Sequence, residues 1–429
     1  MNPIIFEIQN LILILIILFL TTITLYKNFK SKNYYKFWSP LTFISLVFIY
    51  YTIIGALVLL SVDDVSFLGV NLTGSATYSW LGAVVSLLSI HSGFLIYRGS
   101  SITFLNLNLN NKKAFKTGIF LFLIGFLTYS VIRGFNLSIV QSSSSSKLDF
   151  NDGGLAQFFI NCVSFLVLAS ILLIPSILKN KFRLYYYTPI VLSFIVFIIG
   201  GFRYRLVYLV IAMATMYYLF TKKRIKIWFW IIFTFFFVLS MGIMGVSREY
   251  SRGLDLSKTE GLELASTALE AVNEANTFFL TGSLIENTIK SGDYLYFEPL
   301  VTAIAMPLPR SIFPDKPSGD YLKKIQRDLF GSDQSGAAFL NYGEAFLSFG
   351  WIGIFIHGLL IGFLAKLFWV NFLRNRENIM AIASLALFNG FTYIMISRGY
   401  FSAHLIFFFY YILIPIWISK TLSKLTIKK

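Results

Sequence analysis

The apolar positions of this chain fall into long unbroken runs. They show neither the alternation of a half-buried strand nor the single stripe of a soluble helix. A helix of about 20 mostly apolar residues crosses the hydrocarbon core of a bilayer. Eleven runs reach roughly that length, at 3–26, 39–61, 77–97, 115–136, 155–178, 184–201, 204–221, 226–246, 344–370, 378–397 and 402–420. The pattern therefore predicts an all-α polytopic integral membrane protein with eleven transmembrane helices. One long polar stretch, Val246–Asn341, interrupts it. The expected division is a membrane domain with spans one to eight over 1–246, a large extracytoplasmic loop over 247–343, and spans nine to eleven over 344–429.

Inside the loop, Thr259–Asn276 reads as an amphipathic helix. Leu262, Ala265, Leu269 and Val272 share one face, and Glu260, Glu263, Glu270 and Glu274 lie on others. Asp293–Pro299 carries Tyr294, Tyr296 and Phe297 and suits a membrane interface. Pro307, Pro309, Pro314 and Pro317 exclude a regular helix or central strand. Asp320–Phe330 reads as a short basic amphipathic helix with Tyr321, Ile325 and Phe330 as its apolar contacts. Much of the loop is thus expected to be a helical cover over the membrane domain.

Composition agrees. Only 13% of residues are charged and 56% are hydrophobic, where a soluble domain carries about 25% charged residues. The net charge of +16 is not a nucleic-acid footprint, because the cations cluster between apolar runs. Clusters follow span one (Lys27, Lys30, Lys32, Lys36), span three (Arg98, Lys112, Lys113, Lys116), span five (Lys179, Lys181, Arg183) and span seven (Lys222, Lys223, Arg224, Lys226). Lys366, Arg374 and Arg376 lie around the end of span nine, and Lys420, Lys424, Lys428 and Lys429 follow span eleven. Basic clusters mark cytoplasmic loops, so the N-terminus is expected outside, the C-terminus in the cytoplasm, and the long loop outside. The first run lacks a basic leader and a small-residue cleavage site, and reads as a retained span.

Several chemistries fail on residue type. Cys162 is the only cysteine, which excludes a disulfide within the chain. Three histidines without HExxH give no zinc motif, and neither a Walker A nor a GxSxG sequence is present. No metal or cofactor is expected. His91 and His357 lie within spans and read as structural hydrogen-bonding groups.

The remaining candidates collect on the outer side. Arg203 and Arg205, in GGFRYR, sit where two spans meet almost without a loop. They either snorkel to outer headgroups or form an anion site, since a guanidinium fork fits phosphate oxygens. Arg248 and Arg252, four apart where span eight ends, share a face if the helix continues and read as interfacial anchors. Closely spaced prolines stiffen the frame that holds Arg310, Asp315 and Lys316; the alternative is a re-entry turn with Arg310 paired to Asp315. Glu344 opens span nine, as a first-turn carboxylate suited to the helix dipole or as a general base. Gly358 and Gly362 suit close helix packing. Arg398 and His404 flank the short turn between the last two spans.

Two of these stretches carry a resemblance. Pro309–Pro317 reads P-R-x-x-F-P-x-K-P, and Gly343–Gly353 reads G-E-x-x-x-x-F-G-W-x-G. With the many spans, one large outer loop and an arginine-bearing outer turn, the chain resembles the Wzy-type oligosaccharide repeat-unit polymerases. The resemblance implies inverting glycosyl transfer at the outer face of a bacterial cytoplasmic membrane, for O-antigen or capsule synthesis. Donor and acceptor would be glycans on undecaprenyl pyrophosphate. Membrane lipids, a chain-length regulator and a flippase would be its partners. Arg203, Arg205, Arg310 and Arg398, with Arg248 and Lys316 behind them, become pyrophosphate ligands. Glu344, then His404, then Asp315 become candidate bases, and Tyr294, Tyr296 and Tyr342 candidate sugar platforms. An O-antigen ligase uses the same donor, and a membrane acyltransferase would lean on Arg398 and His404. A lipid-linked oligosaccharide flippase is the alternative of a different class, and it would place charges along a path near the bilayer midplane.

Overall fold

The computed structural model describes residues 3–61, 65–99, 109–132, 161–179, 184–201, 203–223, 273–305, 321–331 and 338–425, with short pieces at 228, 242, 248–249, 253–254 and 313. The architecture is helical. Its first half contains α1 (Pro3–Lys30), α2 (Pro40–Leu60), α3 (Ala76–Ile96), α4 (Asn111–Ile132), α5 (Phe165–Lys179), α6 (Thr188–Ile199) and α7 (Arg203–Thr221). The second half contains α8 (Asn276–Ser291), α9 (Glu298–Ala305), α10 (Tyr321–Phe330), α11 (Asn341–Arg374), α12 (Ile379–Ser397) and α13 (401–425). Two small hairpins accompany them: β1 (Ser66–Phe67) with β2 (Val70–Asn71), and β3 (Arg248–Glu249) with β4 (Gly253–Leu254).

Eight helical stretches among the described residues are long and apolar enough to cross a membrane, and α5 and α6 are shorter apolar helices. The chain is a helical multi-pass membrane protein. The predicted span at 226–246 lies outside the described residues except at 228 and 242.

α12 is the centre of the body. It is apolar on every face and buried along nearly its whole length, as a helix surrounded by other helices must be. Asn378 caps it, accepting from the backbone N–H groups of Met380 and Ala381 at 2.8 and 3.3 Å. It packs on α7 on one side and α2 on another.

The second axis is α3 against α11. Glycines set their separation: a Cβ on Gly362 would stand 2.0 Å from the Ile90 carbonyl oxygen, and one on Gly93 would stand 2.2 Å from that of Leu359. Gly362→Val is therefore expected to lower the thermal midpoint in detergent, by an overpacking cost of about 1–3 kcal/mol. Gly74→Ala has no neighbour within 4 Å of the added carbon and serves as the control, with an unchanged midpoint.

α8 departs from the expected cover. Phe278, Phe279, Leu284 and Ile285 are all buried, because α8 packs into the body against α3 and α11. Ser75 and Ser79 donate to the carbonyls of Phe279 and Phe278 at 3.0 and 2.6 Å. Gly282 lets the Ser75 carbonyl approach, since a Cβ would lie 2.2 Å from it. Small and hydroxylated residues let this part of the polar stretch enter the protein interior. The predicted helix over Thr259–Asn276 falls mostly outside the described residues; its last residues form a 3-10 turn, Asn273–Ala275, that leads into α8.

α11 is broken. Phe349 and Gly350 leave helical geometry, and Gly350 has φ 61°. The Leu347 carbonyl accepts from the backbone N–H of Leu295, at 2.8 Å, so a polar group near the break is satisfied by the neighbouring loop. Exposed Tyr296 and Phe297 pack against Phe349 here.

The two ends of the body differ in charge. α7 begins at Arg203, and just past its far end Lys222 pairs with Glu377 at 2.5 Å. Glu377 precedes α12, which ends at Arg398. A 19-residue helix is about 28 Å long, which separates the Arg203–Arg398 end from the Lys222–Glu377 end.

Candidate functional site

Three charged side chains from three distant parts of the chain meet at the first of these ends. Glu274 Oε1 lies 3.2 Å from Arg203 Nη1 and 3.5 Å from Arg398 Nη2. Glu274 Oε2 accepts from the hydroxyls of Tyr393 and Tyr51, at 3.2 and 3.4 Å. Those hydroxyls are 3.0 Å apart. One carboxylate therefore binds two guanidiniums and two phenols.

Burial is graded across the cluster. The side chain of Arg203 is 7% exposed, that of Glu274 15% and that of Arg398 23%, so a ligand would reach it from the Arg398 side. Among the described residues, two guanidiniums converge on this one carboxylate at a poorly hydrated place. Arg203 Nε is buried and makes no hydrogen bond among the described residues. Such an arrangement accepts an anion, and a fork of guanidinium donors favours phosphate oxygens.

The scaffold explains the position of each group. Arg203 opens α7 two residues after Gly201, whose φ of 65° makes a turn tight enough to bring α6 into α7. Glu274 lies in the 3-10 turn that feeds the buried face of α8. Tyr51 comes from a π-helical segment of α2, Ile49–Ile54. Arg398 closes α12, and its turn is held on two sides. The Gly399 N–H donates to the Phe339 carbonyl at 2.6 Å, and a Cβ there would stand 2.1 Å from the Leu340 oxygen. The Glu344 carboxylate accepts from the Phe401 backbone N–H and from the Tyr321 hydroxyl.

Glu344 is thus a buried fastener that ties the first turn of α11 to α10 and to the Arg398 turn. Both hydrogen bonds are internal, and the carboxylate is absent from the Arg203–Arg398 pair. Glu344→Gln is expected to loosen that turn, reducing activity severalfold through Arg398 placement and lowering thermal stability with it. A catalytic-base role would instead remove activity at unchanged stability.

Arg205 also lies apart from the cluster. Residues two apart on a helix point to different sides, and Arg205 turns into an aromatic cage. Its Nε donates to the Tyr411 hydroxyl at 3.1 Å, and its guanidinium lies 5.7 and 5.8 Å from the Tyr204 and Tyr411 ring centres. Tyr411 belongs to the second π-helical segment, Phe409–Leu413. Both π segments therefore supply a tyrosine to a buried charged group, a placement such segments often have. His404 stacks on His357 with ring centroids 6.2 Å apart, away from the Glu274 carboxylate.

Tyr342 is fully buried, and its hydroxyl shares a 2.8 Å hydrogen bond with Ser79. It fills the interior, between Ser79 and the body of the protein. Tyr294 is half-buried against Phe346, and Tyr296 is exposed beside Phe349. The Tyr400 phenol is pushed above its ordinary value by burial, which keeps it neutral beside Arg398. Arg310, Asp315, Lys316 and nearly all of Pro309–Pro317 lie outside the described residues, as does the side chain of Arg248.

Glu274 is the residue that the sequence reading did not select. A signal was present: it stands one helical turn before a run, Phe278–Leu280, too apolar for an exposed loop helix. Tyr51 and Tyr393 carried only the weaker signal of hydroxyls inside apolar runs. No family model, curated protein or solved structure matches the chain.

Proposed function

We propose that the protein polymerises oligosaccharide repeat units carried on undecaprenyl pyrophosphate, by inverting glycosyl transfer. The observation that carries this reading is the Arg203–Glu274–Arg398 cluster, in which two poorly exposed guanidinium forks converge at one end of a membrane helical body and the buried Arg203 Nε makes no hydrogen bond among the described residues. The resemblance of Pro309–Pro317 and Gly343–Gly353 to repeat-unit polymerases supports it. In this reading the chain has eleven spans in a bacterial cytoplasmic membrane, the N-terminus outside and the C-terminus in the cytoplasm. The cluster then faces outward, where lipid-linked units arrive.

The chemistry follows from the charges. An acceptor hydroxyl oxygen bonds to the anomeric carbon of the growing chain from the face opposite its phosphate. The bond from that carbon to the phosphate oxygen breaks, and its electron pair leaves on the lipid pyrophosphate. Arg203 and Arg398 bind the charge that develops there, and such preorganised donors contribute strongly to catalysis. Glu274 aligns both guanidiniums on the leaving-group side, and the hydroxyl proton leaves on the opposite face, to water. Tyr294 and Tyr296 offer rings to the glycan.

Deleting the gene in its host is expected to leave surface glycans one repeat unit long. A persisting full-length ladder would contradict polymerase activity. Complete loss of exported units would instead favour a flippase.

A further inference from the structure

The opposite end of the body holds a second site. A cleft of about 510 Å³ opens there between α1, α3, α11 and the segment that leads into α2. Its polar end carries Lys27, in the last turn of α1, Lys36, and Arg376, just beyond α11. All three are exposed. Among the described residues no carboxylate lines the cleft, and neighbouring Glu377 is paired with Lys222 at 2.5 Å. Arg376 is held by its position over the Tyr35 ring, 4.2 Å from the centroid, and by donation from Nε to the Leu373 carbonyl at 3.1 Å.

The rest of the cleft is apolar. Leu20, Ile23, Leu95 and Leu373 line it, and Leu95 is 75% exposed. Its floor is polar but internally satisfied: His91 Nδ1 donates to the Leu87 carbonyl at 2.8 Å, and Nε2 shares a hydrogen bond with Thr24 at 3.0 Å. Asn28 donates to Thr42 at 2.8 Å. The groups left to a ligand are thus three exposed cations at one end of the cleft and the apolar wall beside them.

We propose that this cleft binds one anionic phospholipid, its phosphate among Lys27, Lys36 and Arg376 and an acyl chain along Leu20, Ile23 and Leu95. Charge complementarity selects an anionic headgroup, and cations near a membrane surface each add to such binding. The length of apolar wall selects a lipid over a soluble phosphate, which would leave that wall unused. The ligand is distinct from the glycan-lipid, which the proposed function places about 28 Å away.

The test is native mass spectrometry of the full-length protein released from nanodiscs containing equal phosphatidylglycerol and phosphatidylcholine. The variants are K27Q/K36Q/R376Q and, as a control of equal charge change, K112Q/K113Q/K116Q on α4. Wild type and control are expected to retain one phosphatidylglycerol. The cleft variant is expected to retain it at least about tenfold less. Millimolar inorganic phosphate should not displace the lipid. Equal retention in both variants, equal retention of the two lipids, or displacement by free phosphate would each overturn the assignment. All three cations are exposed, so folding should survive, and an unchanged thermal midpoint in detergent verifies it.

Discussion

Replacing Glu274 with alanine is expected to destabilise the protein by about 3–5 kcal/mol, because it leaves two guanidiniums facing each other in a poorly hydrated place. The readout is the thermal midpoint in detergent and the amount accumulated in the membrane. Glu274→Gln is expected to be milder, since an amide still accepts from Tyr51 and Tyr393. A cycle with Arg203→Ala should show coupling of about 0.5–3 kcal/mol, as for residues in one network, because the pair lies at 3.2 Å. A Glu274→Ala protein as stable as wild type would mean that the carboxylate does not hold the arginines together.

The larger effect on activity is expected at the arginines. Arg203→Ala and Arg398→Ala should each reduce polymer formation per unit of accumulated protein by about 10²–10³, the loss seen when one preorganised charge-stabilising donor is removed. Arg398→Lys should recover only part of it, since an ammonium cannot present a planar fork. Arg205→Ala should act differently. Its guanidinium is enclosed by Tyr204 and Tyr411, so the variant should lose stability, while the polymer made per surviving molecule changes little. Equal activity losses at Arg203 and Arg205 would join two groups that α7 points apart.

Much of the helical body was legible because a membrane leaves few choices. A long apolar run must be a helix in lipid, and the runs at 344–370 and 378–397 match α11 and α12 closely. The glycines at 358 and 362 were legible for the same reason: without side chains they mark where helices touch, and they meet α3. Arg203 and Arg398 could be selected because no loop separates them from their spans.

What escaped was pairing across long separations. Nothing local joins Glu274 to residue 203 or residue 398, and helical periodicity placed it, with three other glutamates, off the apolar face of the expected helix. The structure instead puts it at the mouth of a buried helix. Glu344 and Tyr342 show the ambiguity from the other side. Both looked chemically useful, but a carboxylate or phenol opening a span can equally fasten it to its neighbours. The bonds from Tyr321 and Phe401 to Glu344, and from Tyr342 to Ser79, do that.

Purified protein in proteoliposomes, supplied with lipid-linked repeat units extracted from its host, tests the central claim most directly. Products are resolved by length. Wild type should produce a ladder of several repeat units with release of undecaprenyl pyrophosphate, while Arg203→Ala at equal reconstituted amount should leave single units unchanged. The same ladder from both proteins would contradict the assignment of the Arg203–Glu274–Arg398 cluster, and no ladder from wild type would contradict the activity itself.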